Sequence, residues 1–152
     1  MGLNRLSAFL LRHRVIALDT SIFIYQLEAN DRYLPLTDQI FSWLETRDVK
    51  AVTSTITMTE LLVQPYRADD GHRVNAYYGL LSTFPNLEWI APGLEIADMA
   101  ARIRAIHRLR TPYALLAATA AHARATGLIT NDDVFERVEA FDTLVLDRLL
   151  PE

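Results

Sequence analysis

The chain has 152 residues, no cysteine, 51% hydrophobic and 22% charged residues, and a formal net charge of -4. This composition fits one domain with a real core, and it excludes a disulfide scaffold, a thiolate metal site and a cysteine nucleophile. The acidic balance offers no general attraction to nucleic acid, so any contact with phosphate has to be local.

Residues 1–14, MGLNRLSAFLLRHR, carry a short apolar run with arginine on both sides. The run is shorter than the roughly 20 residues of a membrane span and lacks a small-residue cleavage site, so a cytoplasmic protein without a membrane partner is expected. The segment reads as an added amphipathic helix that turns Leu3, Leu6, Leu10 and Leu11 toward a domain formed by residues 15–152. Val15 to Leu18 is then a buried strand running into Asp19, Thr20 and Ser21, which have helix-capping chemistry for a helix from about Ser21 to Asn30.

Pro35 opens a helical segment bearing Ile40, Phe41 and Leu44, and Ala51 to Thr53 is a second strand. A helix over Thr57 to Gln64 is predicted to stop at Pro65, and Asp69 and Asp70 precede another through Leu81. Leu87 to Ala91 is a third strand between Pro85 and Pro92. Ile96, Met99, Ile103 and Ile106 mark an amphipathic helix, and Thr111 with Pro112 reads as the cap and first turn of an Ala-rich helix ending at Gly127. Leu128 to Thr130 is a fourth strand, followed by Asn131, Asp132, Asp133 and a short helix, and Thr143 to Leu146 is a fifth.

Short apolar strands alternating with helices predict a three-layer α/β/α fold around a central, mostly parallel sheet. Function then concentrates beyond the carboxyl ends of the strands, where both Asp19 and Asp132 stand. Asp19, Glu60 in TITMTELL and Asp132 in LITNDDVF each read alone as a cap or a solvated helix position. Together they would form a carboxylate cluster on one rim, which a divalent cation stabilises.

The strings VIALDTSIFIY, TITMTELL and LRTPYALLAATAAHARATGLITNDDVF resemble the PIN-domain ribonucleases, in particular the VapC-type toxins of bacterial toxin–antitoxin pairs. The resemblance runs from Val15 to about Leu146. It implies a PIN-like fold, a homodimer, a small VapB-like antitoxin partner and endoribonuclease activity dependent on Mg²⁺ or Mn²⁺. It assigns Asp19, Glu60 and Asp132 as metal-binding catalytic acids, Thr20 and Ser21 as the hydroxyl pair beside the first acid, and Asn131 as the polar residue before the last. Phosphodiester hydrolysis would use a water activated by the cation.

One motif departs from the family. Where a further aspartate is usual, TPYALLAATA carries Tyr113, and a phenol is not a hard anionic ligand. Three readings remain open: a weakened or single-metal site, substitution by Asp133, or a catalytically silent PIN-like module that binds RNA or protein. Arg102, Arg104, Arg108 and Arg110 with His107 form the densest basic stretch. They read as a solvated helix face or as contacts to RNA phosphates, with Arg110 nearest the site. His13, His72, His107 and His122 read as surface or helix residues, and Tyr77, Tyr78 and Trp89 as packing residues.

Overall fold

A computed structural model describes residues 1–151. Among them are five strands, β1 (Val15–Leu18), β2 (Lys50–Ser54), β3 (Leu87–Ile90), β4 (Gly127–Thr130) and β5 (Asp142–Val145). The helices are α1 (Gly2–Arg12), α2 (Thr20–Leu27), α3 (Leu34–Leu44), α4 (Thr55–Arg67), α5 (Gly71–Ser82), α6 (Leu94–His107) and α7 (Thr111–His122). Two 3-10 turns, Asp133–Arg137 and Leu146–Leu149, follow β4 and β5.

The sheet has the order β3-β2-β1-β4-β5, and every pairing is parallel. Alternation along the strands divides the interior in two. Ile16, Leu18, Ala51 and Ile129 point into a core shared with Leu6 and Phe9 of α1, Phe23 of α2 and Ile40 of α3. Ala17, Val52 and Leu128 point the other way, onto Ile96 and Ile103 of α6, Ala117 of α7 and Phe135. Strands buried on both faces explain the near-continuous apolar runs of the sequence, and the expected three layers are present.

Several local expectations are corrected. α2 begins at Thr20 and ends at Leu27, because Asp19 itself takes the cap position. α4 starts at Thr55 and runs through Pro65 to Arg67. The proline removes one amide donor from the last turn while its ring is buried, so the helix ends two residues later. The cap of α7 is Arg110, not Thr111, whose hydroxyl instead accepts from Arg104 Nη1 at 2.7 Å.

α7 ends at His122, with Arg124 rather than a glycine in the left-handed region at φ 58°. Gly127 opens β4, where a Cβ would lie 2.9 Å from Phe9 Cζ and 3.1 Å from the His13 ring. It is there for close approach. Leu6 and Leu10 of α1 are buried with Phe9, whereas Leu3 is exposed and Leu11 is 86% exposed. Ile106 is exposed too, and the buried stripe of α6 is Ile96, Ala100 and Ile103. His13 is buried, with Nδ1 on Thr126 Oγ1 (2.8 Å) and Nε2 on Asp142 Oδ2 (3.1 Å).

Candidate functional site

β1 is the middle strand of the sheet, and Asp19 leaves its carboxyl end with its amide still donating to Ile129 O of β4 at 3.1 Å. The side chain is only 8% exposed. Its Oδ1 accepts from the Thr20 amide at 2.8 Å, and its Oδ2 accepts from Thr130 Oγ1 at 2.7 Å and Ser21 Oγ at 3.3 Å. All three donors are neutral. Burial, assisted by the nearby Glu60 charge, therefore holds the Asp19 pKa above its ordinary value, against the pull of those hydrogen bonds.

Glu60 projects from α4 and accepts at Oε1 from Thr20 Oγ1 at 2.9 Å. The Thr20 hydroxyl also meets Thr57 Oγ1 at 3.0 Å, which meets Thr53 Oγ1 at 3.1 Å. This hydroxyl chain fixes the Glu60 carboxylate beside Asp19. Asp19, Thr20, Thr57, Glu60, Pro112 and Tyr113 line one small cavity at the strand ends.

Asp132 approaches from β4. Its amide donates to Thr130 Oγ1 at 3.0 Å, so Thr130 bridges the first and last acids, and its Oδ1 accepts from Val134 N at 3.1 Å. The Tyr113 phenol stands between the acids, its ring edge-on to Phe135 with centroids 5.5 Å apart. Its pKa is raised, first by burial and then by the neighbouring carboxylates of Asp132 and Asp19, while Arg110 pulls the other way.

The structure thus brings Asp19, Glu60 and Tyr113 to one cavity and hangs Asp132 on its edge. It does not bring the three expected acids into one ligand cage: among the described residues no group of three or more His, Asp or Glu is arranged to hold a metal ion. Asp133 is exposed at the start of the 3-10 turn and is not among the residues that line the cavity. Asn131 serves the scaffold, its Nδ2 donating to Tyr25 Oη at 3.0 Å and its Oδ1 accepting from Asp147 N at 2.9 Å.

The donor set fits a small, hard divalent cation held by one or two carboxylates with water and phosphate completing its shell, the ordinary manner for Mg²⁺. Asp19 supports that fit because it is a buried anion with no cationic partner among the described residues. Sequence reading missed Thr130 and Thr57, since a threonine inside a strand or helix carries no signal before its neighbours across the fold are known.

A larger cavity, about 880 Å³, is elsewhere. It lies along the other face of α4 from Glu60, lined by Met58, Leu62, Val63, Tyr66, Tyr78 and Trp89. Its apolar walls suit a partner surface better than phosphodiester chemistry.

The all-parallel α/β/α sheet places a buried acid, Asp19, at its carboxyl rim. Residues 16–140 match the family model described as PIN domain, and the chain belongs to that family. A comparison with curated proteins returns no significant match. Among solved structures, VapBC2 from Rickettsia felis bound to a promoter DNA fragment is similar at TM-score 0.66 and 17% identity, over 86% of this chain and 98% of that one. A toxin–antitoxin complex from Klebsiella pneumoniae is similar at TM-score 0.64 and 20% identity, over 86% and 97%. VapBC-5 from Mycobacterium tuberculosis gives TM-score 0.57 and 23% identity, over 87% and 98%.

Proposed function

We propose that this PIN domain is a VapC-type toxin, a metal-dependent endoribonuclease that hydrolyses RNA at the Asp19 rim. The observation that carries this reading is the buried Asp19 carboxylate, lacking a cationic partner among the described residues and sharing a cavity with Glu60. The complexes of the similar structures support an antitoxin partner, and the apolar groove between α4 and α5 is a surface of the kind an amphipathic helix covers.

Asp19 would be the principal ligand of Mg²⁺ or Mn²⁺, with Glu60 and Asp132 acting directly or through water. The cation, when bound, supplies charge neutralisation at the phosphate and acidifies a water. The protein's own residues prepare that chemistry. Thr130, Ser21 and the Thr20 amide hold Asp19 in one rotamer. Thr20 keeps Glu60 extended toward the cavity, where its carboxylate can accept a proton from the attacking water. The Tyr113 phenol stands beside Asp132 and Asp19, where a carboxylate would add a further negative charge to the rim.

A second reading has one observation in its favour: with Tyr113 in place no three-acid cage forms among the described residues. It describes a PIN-like module that binds RNA or a protein partner without turnover. Cleavage of a structured RNA with added Mn²⁺, with EDTA, and by Asp19→Asn separates the two. Cutting that EDTA and the variant both abolish supports the enzyme; RNA retained without cutting and without an EDTA effect supports the silent module.

A further inference from the structure

Only some of the basic side chains near the rim are free to meet a ligand. Arg102 pairs with Asp98 at 3.8 Å on the outer face of α6. Arg104 is used internally, its Nε donating to Leu109 O at 3.0 Å and its Nη1 to Thr111 Oγ1 at 2.7 Å, which pins the α6–α7 turn. Arg108 and Arg110 are exposed and have no carboxylate partner among the described residues.

A third arginine reaches the same corner from a remote part of the chain. Arg137, at the end of the 3-10 turn that Asp132 caps, points Nη1 at His107 O (3.4 Å) and Arg108 O (3.5 Å). These long contacts to neutral carbonyls seat the guanidinium without cancelling its charge. The acid next to it, Glu136, is committed to Arg148. The left-handed backbone of Arg108, at φ 58°, turns the chain sharply, and Arg110 caps α7 just before Tyr113.

We propose that this α6–α7 corner, formed by Arg108, Arg110 and Arg137, is the track along which the backbone of single-stranded RNA reaches the Asp19 rim. The proposal rests on the ribonuclease reading and extends it from the reacting bond to the flanking phosphates. Arg110 lies two and three residues before Pro112 and Tyr113 of the cavity wall, its charge acts on the Tyr113 phenol, and Arg137 seats against the backbone of Arg108 beside it, in a chain of net charge -4. A polyanion is repelled by the rim alone and is drawn to it along this edge. Contacts of this kind position a strand and read no sequence.

Fluorescence anisotropy of a fluorescein-labelled single-stranded RNA on full-length Asp19→Asn protein, across a salt series, tests the track without cleavage. Arg108→Gln, Arg110→Gln and Arg137→Gln, each added to that background, are expected to weaken binding several-fold. Each should also flatten the slope of log affinity against log salt by ~0.7, the value for one lost phosphate contact on a single strand. Arg137→Gln keeps a donor for the two carbonyls, and Arg137→Lys is expected to restore most of the affinity.

Arg102→Gln, already neutralised by Asp98, should bind like the parent. Unchanged affinity and slope in all three corner variants, with the parent still binding RNA, would overturn the track and leave the ribonuclease reading standing. A parent that binds no RNA overturns both. Displacement by polyglutamate as effective as by RNA would likewise overturn it, in favour of an acidic peptide as the occupant.

Discussion

The carboxylate of Asp19 accepts from one amide and two hydroxyls, and none of these donors carries charge. Burial therefore wins, and the acid titrates above its ordinary value in the folded protein. Between the unfolded and the raised folded pKa the native state binds more protons, so stability falls as pH rises through that window. Asp19→Asn should melt above the parent at neutral pH, with the advantage closing below pH about 4, where the acid is protonated in both states. Thermal melts of the two proteins from acid to neutral pH check this; parallel curves would contradict it. Tyr113→Asp is the converse change. Replacing the phenol by a carboxylate beside Asp132 and Asp19 should tighten Mn²⁺ binding by about tenfold or more in calorimetry. It should also lower the melting temperature of the metal-free protein through repulsion among the acids.

At the scale of elements, the contact of α1 with β4 is set by one missing side chain. Phe9 and His13 lie over Gly127 closely enough that a Cβ there would meet Phe9 Cζ at 2.9 Å. Gly127→Ala should cost about 1–3 kcal/mol, since ring and helix must shift together in a packed core. Urea denaturation reads this as a lower midpoint at an unchanged slope. The same helix end is latched by polar contacts, with Arg12 and His13 both on Asp142 Oδ2 at 3.0 and 3.1 Å. Pro65 shows the opposite relation between sequence and element: a residue that usually ends a helix lies inside the last turn of this one, two residues before its end.

Across the whole molecule, the helix that precedes the family match belongs structurally to the main core. Leu6, Phe9 and Leu10 are buried in it, and Arg5 Nη1 donates to Arg148 O at 2.8 Å in the turn after β5. That turn is tied to the rim, since Asp147 N donates to Asn131 Oδ1 and Asp147 Oδ1 accepts from Tyr33 Oη at 2.6 Å. Removing residues 1–14 strips three large apolar side chains from the interior, a loss on the order of 5 kcal/mol and comparable with the whole stability of a domain this size. The truncated chain should unfold at far lower urea, or expose enough apolar surface to bind a hydrophobic dye. A truncated protein with the parent's midpoint would show that α1 is dispensable packing.

Sequence by itself determined what depends on neighbours in the chain. Apolar runs too short for helices placed the strands, and the polar residue ending each run put Asp19 and Asp132 at the carboxyl rim. The tyrosine in place of an acid was equally legible, because it is a change of residue type within a motif. Tertiary structure decided what depends on residues remote in the chain. The order β3-β2-β1-β4-β5 lets Thr130 bond Asp19 across 111 positions, brings Arg137 to the corner of α6, and leaves Tyr113 beside Asp132 with no three-acid cage among the described residues. A hydroxyl, a guanidinium or a glycine has no role until a partner stands within reach, and which partner does so is set by strand order and layer packing.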